Sequence, residues 1–464
     1  MPHRLTLTKM AQLIRRRELS PVELVDAHLK QIEKHNPAIN AFVMQFPSEA
    51  RAAARYAEME RPEAPLHGIP VTIKDSFDIR DLPTLCGSRF RLNHRAGADS
   101  TVVRRIREAG GIILGKTNCS EFLASWESDN YITGRTSNPW NLDRTAGGSS
   151  GGESAAIAAG FSAGGVGSDG GGSIRVPAHF CGIAGLKPTP GRVPATGHFP
   201  EISHPGGLLG VAGPMARTVE DVAVLFGILS GYDPSDPFSS PVPLRTPGKL
   251  DGCIGVMEQF LDEPVEDSIR TAVRSAASLL ASSGFDVEAF RPAGLERAHE
   301  TWWFFFGELS AGFTREVLKG RESDAHWTST DLLALTHAEP PISGRGVVDA
   351  LGARDRMRAQ LFQQMQRFPV LLMPVCAVPA FRHRQREWPI NGHSLNMLEI
   401  MSPATPWNLL GMPGLVVPMS VTDDGLPVGV QLVAKPYDEE LLLQVGALLE
   451  QARGPFPLPP GFDE

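Results

Sequence analysis

Two serines on glycine-rich loops are the residues of this chain best suited to nucleophilic chemistry. Ser149 stands in segment 147–152 (GGSSGG), and Ser173 ends the run 170–173 (GGGS), 24 residues further along. Because glycine has no Cβ, backbone N–H groups in such loops can come close to a reacting atom. A serine at the end of a glycine run can therefore be both a nucleophile and part of an anion-binding nest.

Lys74 is the candidate base for these hydroxyls. Serine is a poor nucleophile until a base takes its proton, and lysine can do so only when neutral. At an ordinary pKa of about 10.4, roughly one lysine in 2,500 is neutral at pH 7, so this role requires an apolar setting that lowers the pKa. Lys74 follows Val71 and Ile73 in a strand-like run, which suits burial, and Asp75 points to the other side of an extended chain.

Neither signal is specific by itself. A Gly/Ser-rich hexapeptide is typical of flexible linkers, and a lone lysine after a strand is usually exposed. The run 170–173 could also bind phosphate at the start of a helix. It is not followed by the Gly-Lys-Ser/Thr that completes a P-loop, which argues against a nucleotide site at this loop.

The hydrophobic pattern predicts the elements that must position these residues. Residues 8–60 are predicted to be helical, with Ser20 as the N-cap of a helix that starts at Pro21. Strands are predicted at 68–74, 111–115, 165–169, 253–257, 287–290, 370–373, 415–421 and 428–433. Helices are predicted between them at 101–109, 153–161, 218–231, 267–281 and 439–449.

This alternation predicts an α/β fold with a large central mixed sheet flanked on both faces by helices. We expect one domain over residues 1–464. Its parts are a helical N-terminal segment (1–60), a core that carries the glycine loops (61–232), a linker-like loop rich in Pro, Ser and Asp (233–250), and a remainder that completes the sheet and the substrate pocket (251–464).

Length and charge narrow the classes of protein further. The chain has 464 residues, 42% of them hydrophobic, which is more than the roughly 250–300 residues that one hydrophobic core usually holds. The length is therefore consistent with either two domains or one unusually large sheet. The net charge of −8 argues against a nucleic-acid partner. No segment approaches about 20 uninterrupted apolar residues, so no membrane span or membrane association is expected.

Cysteine usage indicates a reducing compartment. The five cysteines are widely spaced and form no Cys-x-x-Cys pair, which argues against a disulfide framework or a structural zinc site. The N-terminus lacks the apolar run of a secretory signal. We therefore expect a cytoplasmic protein.

Seven segments together carry a resemblance that single motifs do not. They are 68–75, 147–152, 169–177, 181–192, 213–217, 413–418 and 425–432. In this order they resemble the amidase signature family, hydrolases that cleave carboxamides with a Ser-Ser-Lys triad. The resemblance covers nearly the whole chain, and the spacing of the two serines is the family's own. It implies the amidase signature fold and an amidase activity.

The resemblance also implies a role for each motif residue. Ser173 corresponds to the nucleophile, Ser149 to the bridging serine after a cis peptide bond, and Lys74 to the base. The backbone N–H groups of the loop correspond to the oxyanion hole, and neighbouring residues support the loop. The oxyanion-hole residues are Gly170, Gly171, Gly172 and Ser173, and the supporting residues are Asp169, Arg175 and Ser150. This chemistry needs no metal and no organic cofactor.

The chain departs from the family at Gly170, where a bulkier residue is more common. The backbone donor is kept, but glycine raises the conformational entropy of the loop by about 0.5–1 kcal/mol relative to alanine. The departure leaves the rigidity of the oxyanion hole in question.

Two other functions are consistent with the same motifs. One is the glutamine-hydrolysing subunit of a tRNA-dependent amidotransferase, which works in a complex. The other is a non-catalytic amidase-like binding protein. Segment 191–198 (GRVPATGH) is more similar to stand-alone amidases, and all three triad positions are filled. We therefore expect a small-molecule amide as substrate. The sequence leaves the oligomeric state undecided, and a homodimer is one of the alternatives.

The sequence says less about which amide is bound. The cluster 302–306 (WWFFF) could line a pocket for an aryl or acyl group, or pack in the core or at a dimer contact. His198 and His204 lie on a Pro/Gly-rich loop that could border the entrance, although loop histidines are usually just solvated.

Overall fold

A mixed β-sheet is the central element of the fold. The computed structural model describes residues 1–202, 209–248, 252–337 and 341–462. In chain order the strands are β1 (Phe42–Gln45), β2 (Pro70–Lys74), β3 (Ile112–Thr117), β4 (Ser137–Asn138), β5 (Asn141–Thr145), β6 (Gly164–Asp169), β7 (Ala184–Lys187), β8 (Val211–Ala216), β9 (Ile254–Val256), β10 (Val287–Ala289), β11 (Val370–Pro374), β12 (Trp388–Ile390), β13 (His393–Leu395), β14 (Gly414–Val421) and β15 (Pro427–Ala434). Eleven of the strands in these ranges form one sheet in the order β1-β3-β2-β6-β8-β7-β14-β15-β11-β9-β10.

Helices connect and cover these strands. In chain order they are α1 (Leu7–Arg15), α2 (Pro21–Ile39), α3 (Pro47–Met59), α4 (Thr101–Glu108), α5 (Gly151–Ala158), α6 (Arg175–Cys181), α7 (Val219–Leu229), α8 (Asp267–Ser282), α9 (Ala298–Trp303), α10 (Ser310–Leu318), α11 (Trp327–Ala334), α12 (Gly344–Gln364), α13 (Met397–Ile400), α14 (Pro406–Leu409) and α15 (Glu439–Arg453). Helices α6, α8 and α15 pack against β14 and β15. The predicted α/β fold with a large mixed sheet is confirmed. Among the helices in the described ranges, none is both long and apolar enough to cross a membrane.

The central strands are buried along their whole length. Every residue of β2, β6, β8 and β15 is buried, as expected for strands covered on both faces. Strand β2 runs parallel to both of its neighbours, β3 and β6. The carboxyl ends of β2 and β6, at Lys74 and Asp169, therefore lie at the same edge of the sheet.

The N-terminal segment consists of helices α1, α2 and α3, the short connections between them, and strand β1. Ser20 caps α2 as predicted, because its Oγ accepts a hydrogen bond from Val22 N at 3.1 Å. The prediction of helix throughout 8–60 is wrong at β1, which pairs antiparallel with β3. Helix α2 ends at Ile39, its C-cap Asn40 has a left-handed φ of 58°, and the sheet begins two residues later at Phe42. A four-residue strand leaves too short a pattern to stand out between two helices.

The described part of the linker-like loop, 233–248, contains neither helix nor strand, yet it is attached to the core. The carboxylate of Asp236 accepts a hydrogen bond from Ala195 N at 2.8 Å. The guanidinium of Arg192 donates to Val242 O at 3.0 Å. Residues 249 and 250 of this loop lie outside the described residues, and the assignment of the whole chain to one domain stays a prediction.

Segment 110–117 (GGIILGKT) matches the letters of a P-loop, a match that the sequence reasoning passed over. In the structure most of this segment is β3, and the Lys116 ammonium is fully buried 2.7 Å from the Asp75 carboxylate. Burial raises the pKa of Asp75, and the ion pair with Lys116 opposes that rise. The segment is therefore an inner strand with a buried ion pair rather than a phosphate-binding loop.

This ion pair predicts an asymmetric effect on stability. The substitution Lys116→Met would leave the Asp75 carboxylate buried without its partner, which typically costs about 3–5 kcal/mol. The matched control is Arg345→Met, which breaks an exposed pair with Asp349. We expect urea denaturation to show a large loss of unfolding free energy for the first variant and almost none for the second. Equal losses would contradict the importance of the buried pair.

Candidate active site

Lys74 ends β2 with its side chain fully enclosed. Its Nζ lies 2.8 Å from Ser149 Oγ, 2.8 Å from Ser150 Oγ and 3.0 Å from Ser168 Oγ. It also lies 3.4 Å from the Ser168 carbonyl oxygen. Three hydroxyls and a carbonyl therefore surround the amine, and none of these partners is a carboxylate.

Burial lowers the pKa of Lys74 from 10.5 to about 8, although the neighbouring thiols of Cys119 and Cys86 and the carboxyls of Asp169 and Glu153 oppose this shift. With a pKa of about 8, roughly a tenth of the molecules carry a neutral Lys74 at pH 7. The neutral population is thus more than a hundredfold larger than for an ordinary lysine. Enclosure away from water, with neutral hydrogen-bond partners rather than the apolar contacts that the sequence suggested, therefore supplies the lowered pKa that a lysine base requires.

Ser149 is held in place by the tight fit of its loop. The Gly148–Ser149 peptide bond is cis, as the resemblance implies. A Cβ on Gly148 would lie 2.6 Å from backbone atoms of Ser125 and Glu127, so only glycine fits here. The Ser128 hydroxyl donates to the Ser149 carbonyl at 3.2 Å and accepts from Gly151 N at 2.9 Å.

Ser173 lies two residues before α6 and is 7% exposed. Its carbonyl accepts a hydrogen bond from Ser150 N at 3.2 Å, which joins the two glycine loops. Ser149 and Ser173 line the same pocket. The structure therefore brings Lys74, Ser149 and Ser173 together around one crevice.

Asp169 and Arg175 anchor the second glycine loop. The Asp169 carboxylate accepts hydrogen bonds from the backbone N–H of Gly172 at 2.7 Å and of Ile174 at 3.0 Å. Burial acts to raise the pKa of Asp169, but the Arg175 guanidinium, with two contacts of 3.0 Å, holds it well below its ordinary value. Arg175 also donates to Ala404 O at 2.8 Å, so a contact from the C-terminal part of the chain supports the loop.

Gly172 is the loop residue whose N–H is already engaged. It donates to the Asp169 carboxylate at 2.7 Å, which argues against its expected place in the oxyanion hole. The N–H groups of Gly170, Gly171 and Ser173, in contrast, make no hydrogen bond within the described ranges. Three N–H groups of the loop are therefore without an acceptor among the described residues, whereas that of Gly172 has one.

The pocket beside the two serines has a volume of about 410 Å³, within the range of small-molecule sites. Most of its described lining is apolar: Phe122, Leu123, Ala124, Pro200, Ile202, Leu209, Val211, Phe306, Leu309, Phe313 and Leu332. Residues 304–309 form a π-helical turn. The aromatic cluster serves both expected purposes, because Phe306 lines the pocket and Trp302 is buried in the core.

His198 also lines the pocket, but it is not a solvated loop residue. Its ring is buried, its Nδ1 lies 2.7 Å from Pro200 O, and burial lowers its pKa to about 3. It is therefore neutral at physiological pH. His204 lies outside the described residues.

Sequence reasoning missed Ser168, which contacts Lys74, and Trp126, which reaches the glycine loop. Ser168 directly precedes Asp169 on β6, a position that could have suggested a contact at this sheet edge. No motif marked Trp126. Within the described ranges, no three His, Cys, Asp or Glu side chains come together as ligands for a metal ion.

The shifted pKa of Lys74 can be measured directly. We would label the lysine side chains isotopically and follow their NMR chemical shifts with pH. We expect the Lys74 signal to report protonation of the amine as the pH falls through about 8, whereas an ordinary lysine has a pKa of about 10.4. Lys74→Met should remove this signal. Lys187→Met is the matched control, because Lys187 is a second buried lysine whose pKa burial lowers to about 7. A Lys74 signal that titrates above pH 10 would refute the effect of burial.

Comparison with known proteins agrees with this geometry. The sequence model of the Amidase family matches residues 23–443. A glutamyl-tRNA(Gln) amidotransferase subunit from Roseiflexus castenholzii is 34% identical, over 96% of this chain and 95% of that protein. Indoleacetamide hydrolase of Bradyrhizobium diazoefficiens is also 34% identical, over 96% of this chain and 86% of that protein.

Solved structures share the fold over the same length. The crystal structure of a bacterial aryl acylamidase of the amidase signature family superposes with a TM-score of 0.86. It is 28% identical to this chain and covers 97% of it, with 96% of its own length matched. The chain belongs to the amidase signature family of amide-hydrolysing enzymes.

Proposed function

We propose that the protein is a stand-alone amidase that hydrolyses an apolar carboxamide through an acyl-enzyme on Ser173. The observation that carries the proposal is the buried Lys74 amine, 2.8 Å from Ser149 Oγ, beside a pocket that both serines line. Membership of the family supports the reaction class. The roles of the individual residues are part of the proposal.

In the first half of the reaction, Ser173 Oγ attacks the amide carbonyl carbon. Its proton passes to Ser149 Oγ, and the Ser149 proton passes to Lys74 Nζ. The carbonyl oxygen becomes an oxyanion that accepts hydrogen bonds from the N–H groups of Gly170, Gly171 and Ser173. Such donors act mainly on the transition state, and losing one typically costs about 2.7–4 kcal/mol.

In the second half, the relay runs in reverse. The C–N bond breaks, and the departing nitrogen takes a proton from Ser149, which is replenished from Lys74. Water then attacks the acyl ester and gives its proton to the same relay. Ser173 takes this proton back as the carboxylic acid leaves, so that Lys74 is neutral again, and the acid then loses its remaining proton to solvent.

The pocket lining favours an apolar acyl group. Asp169 and Glu201 are the only charged residues in the described lining, and both are acidic. The carboxylate of free glutamine would therefore meet no basic partner among these lining residues. Two similar proteins, indoleacetamide hydrolase and a bacterial aryl acylamidase, have names that refer to aromatic amides. This similarity supports an aromatic carboxamide as the substrate here.

The nucleophile can be tested without knowing the natural substrate. A fluorophosphonate probe should label the wild-type protein, and Ser173→Ala should abolish the labelling. Ser310→Ala is the matched control, because Ser310 lines the same pocket and its hydroxyl donates to Phe305 O. Labelling that persists in Ser173→Ala would reassign the nucleophile, and an unlabelled wild type would favour a non-catalytic binding protein.

A glutamine-hydrolysing amidotransferase subunit is the second candidate, since a relative with an amidotransferase name is 34% identical over 96% of this chain. Ammonia release from phenylacetamide, hexanamide and L-glutamine separates the two. We expect kcat/KM for the best apolar amide to exceed that for glutamine by at least about 100-fold, because a buried unpaired carboxylate costs several kcal/mol. Preferential hydrolysis of glutamine would support the amidotransferase role instead.

A further inference from the structure

We propose that Trp302 is a positioning residue that aims the N–H of Gly171, one of the proposed oxyanion donors, toward the small cavity that Gly171 and Ser173 line together beside the main pocket. The inference rests on the proposed acyl-enzyme function. It assigns a task to the aromatic cluster, whose first tryptophan has no direct access to the reacting atoms. It also addresses how a loop with glycine at position 170 keeps its shape.

The peptide plane between Gly170 and Gly171 is fixed by one indole. Trp302 Nε1 donates to Gly170 O at 2.8 Å. In a trans peptide the carbonyl and the N–H of the same plane point in opposite directions. The N–H of Gly171 therefore points away from Trp302, and it has no acceptor within the described ranges.

The next peptide plane is held at both ends. Trp126 Nε1 donates to Gly171 O at 2.9 Å, and the N–H at the other end of this plane, that of Gly172, donates to Asp169 at 2.7 Å. The rings of Trp126 and Trp302 lie 6.1 Å apart. Two consecutive planes of the loop are thus fixed by a pair of neighbouring indoles.

Trp302 is itself held rigidly. Its side chain is fully buried and stacks on Phe306, with ring centroids 4.7 Å apart, and on His299 at 5.7 Å. A Cβ on Gly171 would lie 2.4 Å from the Trp302 ring, and a Cβ on Gly170 would lie 3.1 Å from Phe306. The two glycines therefore let the aromatic cluster approach the loop, and the cluster supplies the rigidity that glycine lacks.

The test compares two equal substitutions on one helix. Trp302→Phe keeps an aromatic ring but removes the indole N–H. Trp303→Phe is the matched control, because the Trp303 indole has no hydrogen-bond partner among the described residues. For both variants we would measure the fluorophosphonate inactivation rate at saturation (kinact), the half-saturating concentration (KI), the labelled fraction at the end point, and the thermal midpoint.

We expect Trp302→Phe to lower kinact by about 10- to 100-fold, because aligned donors act on the transition state rather than on the bound probe. KI and the end-point labelled fraction should stay within about twofold of wild type. Trp303→Phe should leave all these values within about twofold. A purely structural role would instead lower the labelled fraction or shift KI.

Three results would overturn the inference: an unchanged kinact in Trp302→Phe, an equal loss in Trp303→Phe, or a loss confined to KI. If Trp302→Phe does not fold, Trp126→Phe provides the same test at the neighbouring peptide plane, because it removes the indole N–H that donates to Gly171 O. An unchanged kinact in that variant would refute the claim that the two indoles position the loop. Failure of the proposed function has a different signature, because Ser173→Ala would then still be labelled.

Discussion

An amine buried without a carboxylate partner is the constraint on which the rest of the structure depends. Lys74 is enclosed at the end of a central strand, and its hydrogen-bond partners are three hydroxyls and a carbonyl. The two nearby carboxyl groups, those of Asp169 and Glu153, bind other partners instead of the amine. Asp169 is paired with Arg175, and Glu153 accepts hydrogen bonds from two threonines while burial raises its pKa to about 7. A direct ion pair with either acid would favour the charged amine and oppose its proposed role.

The sheet supplies the geometry around this amine. Parallel pairing of β2 with β6 puts Lys74 and the start of the second glycine loop at one edge. The first loop joins them through the hydrogen bond between Ser150 N and Ser173 O. The glycines then permit close approach by tryptophans on one side, while the pocket stays open on the other. Rigid elements thus hold a loop that its own sequence would leave mobile.

Much of this could be predicted from local sequence. Alternating apolar runs indicated the α/β fold, and the glycine-rich segments indicated which loops to examine. The contacts that were missed connect distant positions: Ser168 lies 94 residues from Lys74, and Trp302 lies 132 residues from Gly170. No periodicity encodes such pairs, since they arise only when strands and helices pack. The bond from Gly172 N to Asp169 is different, because an Asp side chain that accepts from a nearby N–H is a local pattern that could have been anticipated.

The support of Arg175 by Ala404 and Gln431 has a consequence for the order in which the chain is assembled. Lys74, Ser149 and Ser173 all precede strand β14, which pairs with β7 and extends this half of the sheet. The partners of Arg175 follow it by 229 and 256 residues. During synthesis, the second glycine loop can therefore reach its anchored arrangement only after these later residues have been added.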